Sequence, residues 1–238
     1  MGNKVVKQHF ETAQKTGVLK ISQQRLTEFP PHMRGFPNCL RTLDLSENRF
    51  VTLPDDIGRF TLLKHLNLSE NRLTELPITI GQLIKLETFN AMSNMLVSIP
   101  QELINLKHLK QVHLNNNQLT QFPTMFGGMK NLDVLDLSRN KIASIPPEVK
   151  NLAVTELNCN QNQIATLAPE IAECPRLKTL RLEENCLPIT EIHSAILKES
   201  QVSNLYLDGN LFPSKKFNEL DGYEEYMERY TAVRKKIF

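Results

Sequence analysis

The chain has 238 residues, is 40% hydrophobic and carries a net charge of +2; no run approaches the 18 or so consecutive apolar residues of a membrane-spanning helix. A balance this near neutral gives no electrostatic case for nucleic acid as a partner. The four cysteines, Cys39, Cys159, Cys174 and Cys186, show neither CxxC nor paired spacing, which fits a reducing, cytoplasmic setting better than a disulfide framework.

The opening, MGNKVVKQHF, lacks the apolar core of a secretory signal. Removal of Met1 would free the amine of Gly2, and Met-Gly-Asn opens a myristoylation pattern, although Val6 stands where that pattern has Ser or Thr. Gly2 is therefore the expected lipid anchor, with Lys4, Lys7 and Lys15 adding attraction to anionic lipid. Residues 1–15 read as an N-terminal arm or cap, and 7–17 as a short helix or arm over the first repeat, using Phe10 and Ala13.

From residue 16 to 213 one pattern returns. LRTLDLSENRF at 40–50 is followed by LKHLNLSENRL at 63–73, LKQVHLNNNQL at 109–119, LDVLDLSRNKI at 132–142 and LKTLRLEENCL at 177–187. The ninth place holds Asn48, Asn71, Asn94, Asn117, Asn140, Asn162, Asn185 and Asn210, and a degenerate first copy puts Gln24 there. That makes nine repeats, the first of them degenerate. Apolar fourth and sixth places alternate with polar ones, the period of a strand with one buried face. A strand this short cannot bury its own side chains, so successive copies must stack into a parallel sheet over a shared column of leucine. The asparagine amide both donates and accepts, so a stacked ladder of them can satisfy the buried backbone groups of each turn; Gln24 would do so with a looser reach. Asn67-Leu68-Ser69 matches a glycosylation pattern but falls inside a strand and reads as chance.

The second half of each copy carries Leu53-Pro54, Leu76-Pro77, Ile99-Pro100, Phe122-Pro123 and Ile145-Pro146, with apolar residues three and six places after each proline. Proline lacks an N–H and fixes φ, so this return path is expected to be an extended or short helical turn and not strand. The pattern slips at LAPE, 167–170, and lengthens into a helical turn within 187–200. Residues 214–238 read as a helical cap, with Tyr223, Tyr226, Met227 and Tyr230 on one helical face, because a bare last repeat would expose Leu205, Leu207 and Leu211.

These motifs identify the chain as resembling the leucine-rich repeat family, an α/β solenoid: a curved horseshoe with short parallel strands on its concave face and irregular or short helical turns on its convex face. The LPxxI halves resemble the intracellular class of Ras-suppressor and Scribble-like proteins. ETAQKTGV at 11–18, LRLEENCL at 180–187 and GYEEYMERYTA at 222–232 further resemble a family of small eukaryotic members. That resemblance implies a myristoylated, membrane-associated binding protein.

No phosphate loop, nucleophile elbow, HExxH or paired cysteine motif is present, so neither catalysis nor a metal or cofactor is expected. His65 and His113 share a face but lie two repeats apart, roughly 10 Å along the stack, too far for one zinc ion. The third, fifth, seventh and eighth places should face the concave side. They hold the acids Asp44, Glu47, Glu70, Asp136, Glu156, Glu183, Glu184 and Asp208 against Arg139 and Arg181, a balance that would repel a phosphate backbone. Between the acidic ends lies a mixed patch of His65, Asn67, Asn90, Met92, His113, Asn115 and Val134. An exposed methionine and valine among amides and imidazoles suits adaptable contact with a protein or peptide. The expectation is a monomeric, non-catalytic adaptor, peripheral to a membrane through its lipid. A soluble regulatory subunit of a phosphatase or GTPase pathway and a structural spacer are the alternatives.

Overall fold

In the computed structural model, which describes residues 2–31, 33 and 39–235, each copy of the repeat contributes one three-residue strand centred on its fourth place. The chain divides into two units, Met1–Gln118 and Leu119–Phe238. The first holds β1 (Val18–Lys20), β2 (Thr42–Asp44), β3 (His65–Asn67), β4 (Thr88–Asn90) and β5 (Gln111–His113), paired in chain order and all parallel. Each pairing is offset by one repeat, so that Leu43, Leu66, Phe89 and Val112 stand side by side. These four are at most 1% exposed. In the second unit β6 (Val134–Asp136), β8 (Glu156–Asn158), β10 (Thr179–Arg181) and β11 (Asn204–Tyr206) follow the same rule.

The return halves form 3-10 turns behind the prolines, over Asp55–Arg59, Ile78–Gln82 and Gln101–Asn105 in the first unit. Pro54, Pro77 and Pro100 hold φ between −74° and −64° at the mouths of these turns, the value the pyrrolidine ring imposes. The residues three and six places on, Ile57 and Phe60, Ile80 and Leu83, Leu103 and Leu106, are buried. Adjacent turns approach so closely that a Cβ at Gly81 would lie 2.5 Å from the Glu102 carbonyl oxygen.

One expectation for the return path fails. In the second unit β7 (Ser144–Ile145) and β9 (Thr166–Leu167) pair as a parallel ribbon directly before the turns. The cause is the slipped proline of LAPE: Ala168 stands where the preceding copies have proline, and its N–H donates to the Ile145 carbonyl at 3.0 Å. Proline at that place could make no such bond.

The ninth-place asparagines are buried from Asn48 to Asn185, and Asn210 in the last copy is half-buried. Asn71 Nδ2 donates to the Leu68 and Ser69 carbonyls of its own copy and to the Leu45 carbonyl one copy earlier, while its Oδ1 accepts the Phe50 N–H. Asn94 and Asn117 repeat this in the first unit, and Asn162 and Asn185 in the second. Gln24 takes part only loosely: it is exposed, and its Nε2 makes one own-copy bond, to the Ser22 carbonyl, as Asn71 does to Ser69. The eighth place has a constraint that apolar patterning does not display. Gln23, Glu47, Glu70, Ser93, Asn116, Arg139, Gln161 and Glu184 all adopt φ between 53° and 59°, a left-handed turn that costs a non-glycine residue about 1–2 kcal/mol.

At the start, α1 runs over Gly2–Thr16, longer than the arm expected from 7–17, and buries Phe10 and Ala13. At the other end α4 (Tyr223–Arg234) lies against α2 (Ser194–Lys198), after a single turn, α3 (Ser214–Phe217). Tyr226 is buried and its hydroxyl accepts the Leu205 N–H at 3.1 Å. Arg229 donates to the Val202 and Leu197 carbonyls. Leu205 and Leu207 are half-buried, but Leu211 stays 69% exposed, so the helix does not cover the last copy to its end.

Two substitutions probe this architecture. Leu114→Ala should cost about 2–5 kcal/mol through lost burial and a cavity, since Leu114 has no exposed surface. Asn117→Leu should cost about 1–3 kcal/mol by stranding the Ala91 and Leu114 carbonyls and the Leu96 N–H. Chemical denaturation measures both; an Asn117→Leu protein as stable as wild type would refute the ladder as a stabilising element.

Candidate functional site

Six of the seven patch residues fall on the strand face of the first unit. The fifth-place row runs Asp44, Asn67, Asn90, His113 on consecutive strands. The seventh-place row follows at the turn, where the Glu70 N–H donates to the Met92 carbonyl and the Ser93 N–H to that of Asn115. Asn67, Asn90 and His113 are thus neighbours on three adjacent strands, Met92 and Asn115 flank them, and His65 precedes Asn67 on the same face of β3. Val134 lies in the second unit, half-buried on β6 and paired in register with Glu156.

The environment differs from the expected one in two respects. Met92 is half-buried, as are Asn67, Asn90, His113 and Asn115; among the six only His65 is exposed. Methionine here offers part of its surface, not a protruding side chain. The fifth-place amides also have a local task. Asn67 Oδ1 accepts the Ser69 N–H at 3.1 Å, and Asn90 Oδ1 accepts the Met92 N–H at 3.0 Å. Asp44 does the same for Ser46, taking its N–H and its hydroxyl. A short side-chain acceptor two residues before a backbone N–H is the Asx geometry that starts a turn, which explains the recurrence of Asp and Asn at this place. Among the described residues the Nδ2 groups of Asn67 and Asn90 have no hydrogen-bond partner.

The acids of the second unit are largely engaged by their own neighbours. Arg181 Nε donates to Glu156 Oε1 at 2.9 Å, and its guanidinium lies 4.4 Å from the centre of the Tyr206 ring. Asn160 Nδ2 donates to Glu183, Gln161 Nε2 to Glu184, and Arg139 Nε to Gln161 Oε1. The bond that Arg181 donates to Glu156 holds its pKa above the ordinary value. Burial pushes the thiols of Cys159 and Cys174 up, Cys174 to about 12, and neither is a thiolate nucleophile at neutral pH. Among the described residues no three His, Cys, Asp or Glu side chains gather as metal ligands would.

A charge cluster not anticipated from the repeat stands at the second place, one residue before the strands. Glu87 receives Lys64 Nζ at 2.7 Å and Lys110 Nζ at 2.6 Å. Three copies in succession carry Lys, Glu and Lys there, a signal visible once the copies are aligned.

Residues 37–96 and 84–142 match the family model described as Leucine rich repeat. Among solved structures, the chain is similar to the internalin inlF from Listeria monocytogenes, with TM-score 0.63, 21% identity and 81% of this chain covered. It is similar to the plant peptide hormone receptor RGFR1, solved in complex with RGF2, with TM-score 0.64, 26% identity and 83% of this chain covered. It is also similar to TLR13, solved as a complex with ssRNA13, with TM-score 0.70, 20% identity and 84% covered. The chain spans 61%, 33% and 30% of the lengths of these three proteins.

The Glu87 cluster gives a pH-dependent signature. Hydrogen bonds from Lys110 first and Lys64 second pull the Glu87 carboxyl from 4.5 to about 2. A depressed folded-state pKa means the stabilisation is complete above about 4.5 and is lost as pH falls toward 2. Carbon-detected NMR titration should find the Glu87 carboxyl midpoint near the lower value. Lys64→Met with Lys110→Met should return it toward the upper one; an unchanged midpoint would show that the lysines do not hold it.

Proposed function

We propose that this protein, which has the leucine-rich repeat fold in each of its units, is a non-catalytic adaptor that binds a protein or peptide on its strand face. The observation that carries the reading is the contiguous row Asn67, Asn90 and His113, flanked by Met92, Asn115 and His65. The half-buried Met92 supplies polarisable apolar contact that repacks easily, and the amide donors left over from the turns supply directional bonds. Backbone pairing fixes the spacing of the row, so little ordering entropy is lost on binding. The peptide-hormone receptor with its peptide offers a parallel for a peptide ligand. The RNA complex offers one for nucleic acid, but the third, fifth, seventh and eighth places of the four copies from Leu40 to Asn117 carry no Lys or Arg. Without cations to release counterions from a phosphate backbone, the protein reading is the stronger.

Membrane attachment is the second part of the proposal. Residues 11–18, 180–187 and 222–232 resemble leucine-rich repeat-containing protein 57, and this supports acylation of Gly2, which opens α1. A single myristoyl chain binds a bilayer only marginally, so the protein would exchange between cytoplasm and membrane, with the lysines of the first helix adding attraction to anionic lipid.

Two measurements bear on these readings. Met92→Glu with His113→Glu should leave the melting temperature in place and abolish capture of the partners that wild type recovers from cells; full recovery of the same partners would move the contact elsewhere. Intact-mass analysis of protein made in eukaryotic cells should show Met1 removed and one myristoyl group added. A free glycine or a retained Met1 would end the acylation proposal.

A further inference from the structure

The flank beyond the asparagine turn carries a second, chemically different surface. Its tenth-place column reads Arg25, Arg49, Arg72, Met95 and Gln118. Backbone bonds from Arg49 N to Leu26 O, Arg72 N to Phe50 O and Met95 N to Leu73 O, all 2.8–2.9 Å, hold successive members one repeat apart. Arg25, Arg49 and Arg72 are exposed, and among the described residues none of their guanidinium groups has a hydrogen-bond or ion-pair partner. Other arginines do find partners: Arg59 with Asp56, Arg176 with Asp133, Arg181 with Glu156 and Arg229 with backbone carbonyls. Val51 and Val97 lie beside the column, and they and its member Met95 keep 50%, 54% and 46% of their surfaces exposed. The acids within three residues of the column are Glu28, Glu47, Glu70 and Glu75, all exposed; Glu47 is engaged by Gln23 Nε2 at 2.7 Å, and none of the four pairs with a column arginine among the described residues.

We propose that this flank is a docking surface for an amphipathic helix of a partner protein, whose acidic residues meet Arg25, Arg49 and Arg72 and whose apolar residues meet Met95, Val97 and Val51. The spacing selects a helix. Stacked strands repeat at about 4.8 Å, which puts the second and third arginines and Met95 about 5, 10 and 14 Å from the first. A helix rising 1.5 Å per residue puts positions i+3, i+7 and i+10 about 4.5, 10.5 and 15 Å from position i. An extended strand presents same-face residues about 6.7 Å apart and falls out of step by the third. Guanidinium groups prefer carboxylates in a forked geometry, and three at one-repeat intervals read a row of acids where scattered lysines would read only net charge. This surface is separate from the strand face, so the two readings can fail independently.

The test uses the full chain and a fluorescent, helix-stapled peptide with Glu at i, i+3 and i+7 and Leu at i+10. Its control replaces each Glu by Lys. Fluorescence anisotropy should show wild type binding the acidic peptide alone, with affinity that falls as salt rises. Arg49→Glu with Arg72→Glu, and separately Met95→Asp with Val97→Asp, should weaken it by at least about tenfold, at unchanged melting temperature. Where the double arginine change disturbs folding, Arg72→Ala serves in its place with a smaller loss. The strand-face pair Met92→Glu and His113→Glu should bind the peptide as wild type does. Equal binding of the lysine control, or undiminished binding by both flank variants, would overturn the proposal. So would failure of the peptide together with capture of phosphatidylserine vesicles that the arginine change abolishes, which would make the flank a lipid surface.

Discussion

The ninth-place asparagine is the contact on which every other feature of this protein rests. Each turn after a strand leaves carbonyls and an N–H pointing inward, where water cannot reach them. A buried, unpaired backbone group costs about 1–3 kcal/mol, and the turn itself spends about 1–2 kcal/mol on a left-handed residue at the eighth place. One amide bonds to its own copy and to the copy before it, as Asn71 does with Leu68, Leu45 and Phe50. Net gains of about 0.5–1.5 kcal/mol per hydrogen bond offset the strained turn. The leucines supply most of the burial energy, but leucine alone would not hold a chain that reverses this sharply.

Because the ladder locks each copy to its predecessor, surface chemistry becomes columnar. A residue type repeated at one place becomes a row with the pitch of a parallel sheet. The strand face of the first unit shows this in Asn67, Asn90 and His113, the second-place margin in Lys64, Glu87 and Lys110, and the far flank in Arg25, Arg49 and Arg72. The first row keeps spare donors, the second satisfies itself, and the third has cations with no ion-pair partner among the described residues. Rows of the second kind contribute order; rows of the first and third kinds are open to partners. The acids of the second unit show why composition misleads here. Eight acids read as a repulsive face, yet Glu156, Glu183 and Glu184 are bound by Arg181, Asn160 and Gln161.

The repeat, its α/β class, the inward fourth and sixth places and the turn-forming prolines were legible in the sequence. Each follows from a local rule: alternation for a one-faced strand, fixed φ for proline, and a two-way amide wherever a turn is buried. Place in the copy also decides which face a residue occupies, so that six of the seven patch residues share the strand face of the first unit while Val134 falls in the second. What the tertiary structure decided depends on contacts between copies. The ribbon of β7 and β9 exists because Ala168 brings an N–H opposite Ile145 of the preceding copy. Met92 is half-covered instead of protruding, and Asn67 and Asn90 spend their oxygens on their own turns. Gln24, expected to join the ladder loosely, is exposed because the first copy has no earlier strand whose carbonyl it could reach. Sequence fixes which side of the chain a residue occupies. Only the stacking of one copy on the next decides whether its polar atoms are already spoken for.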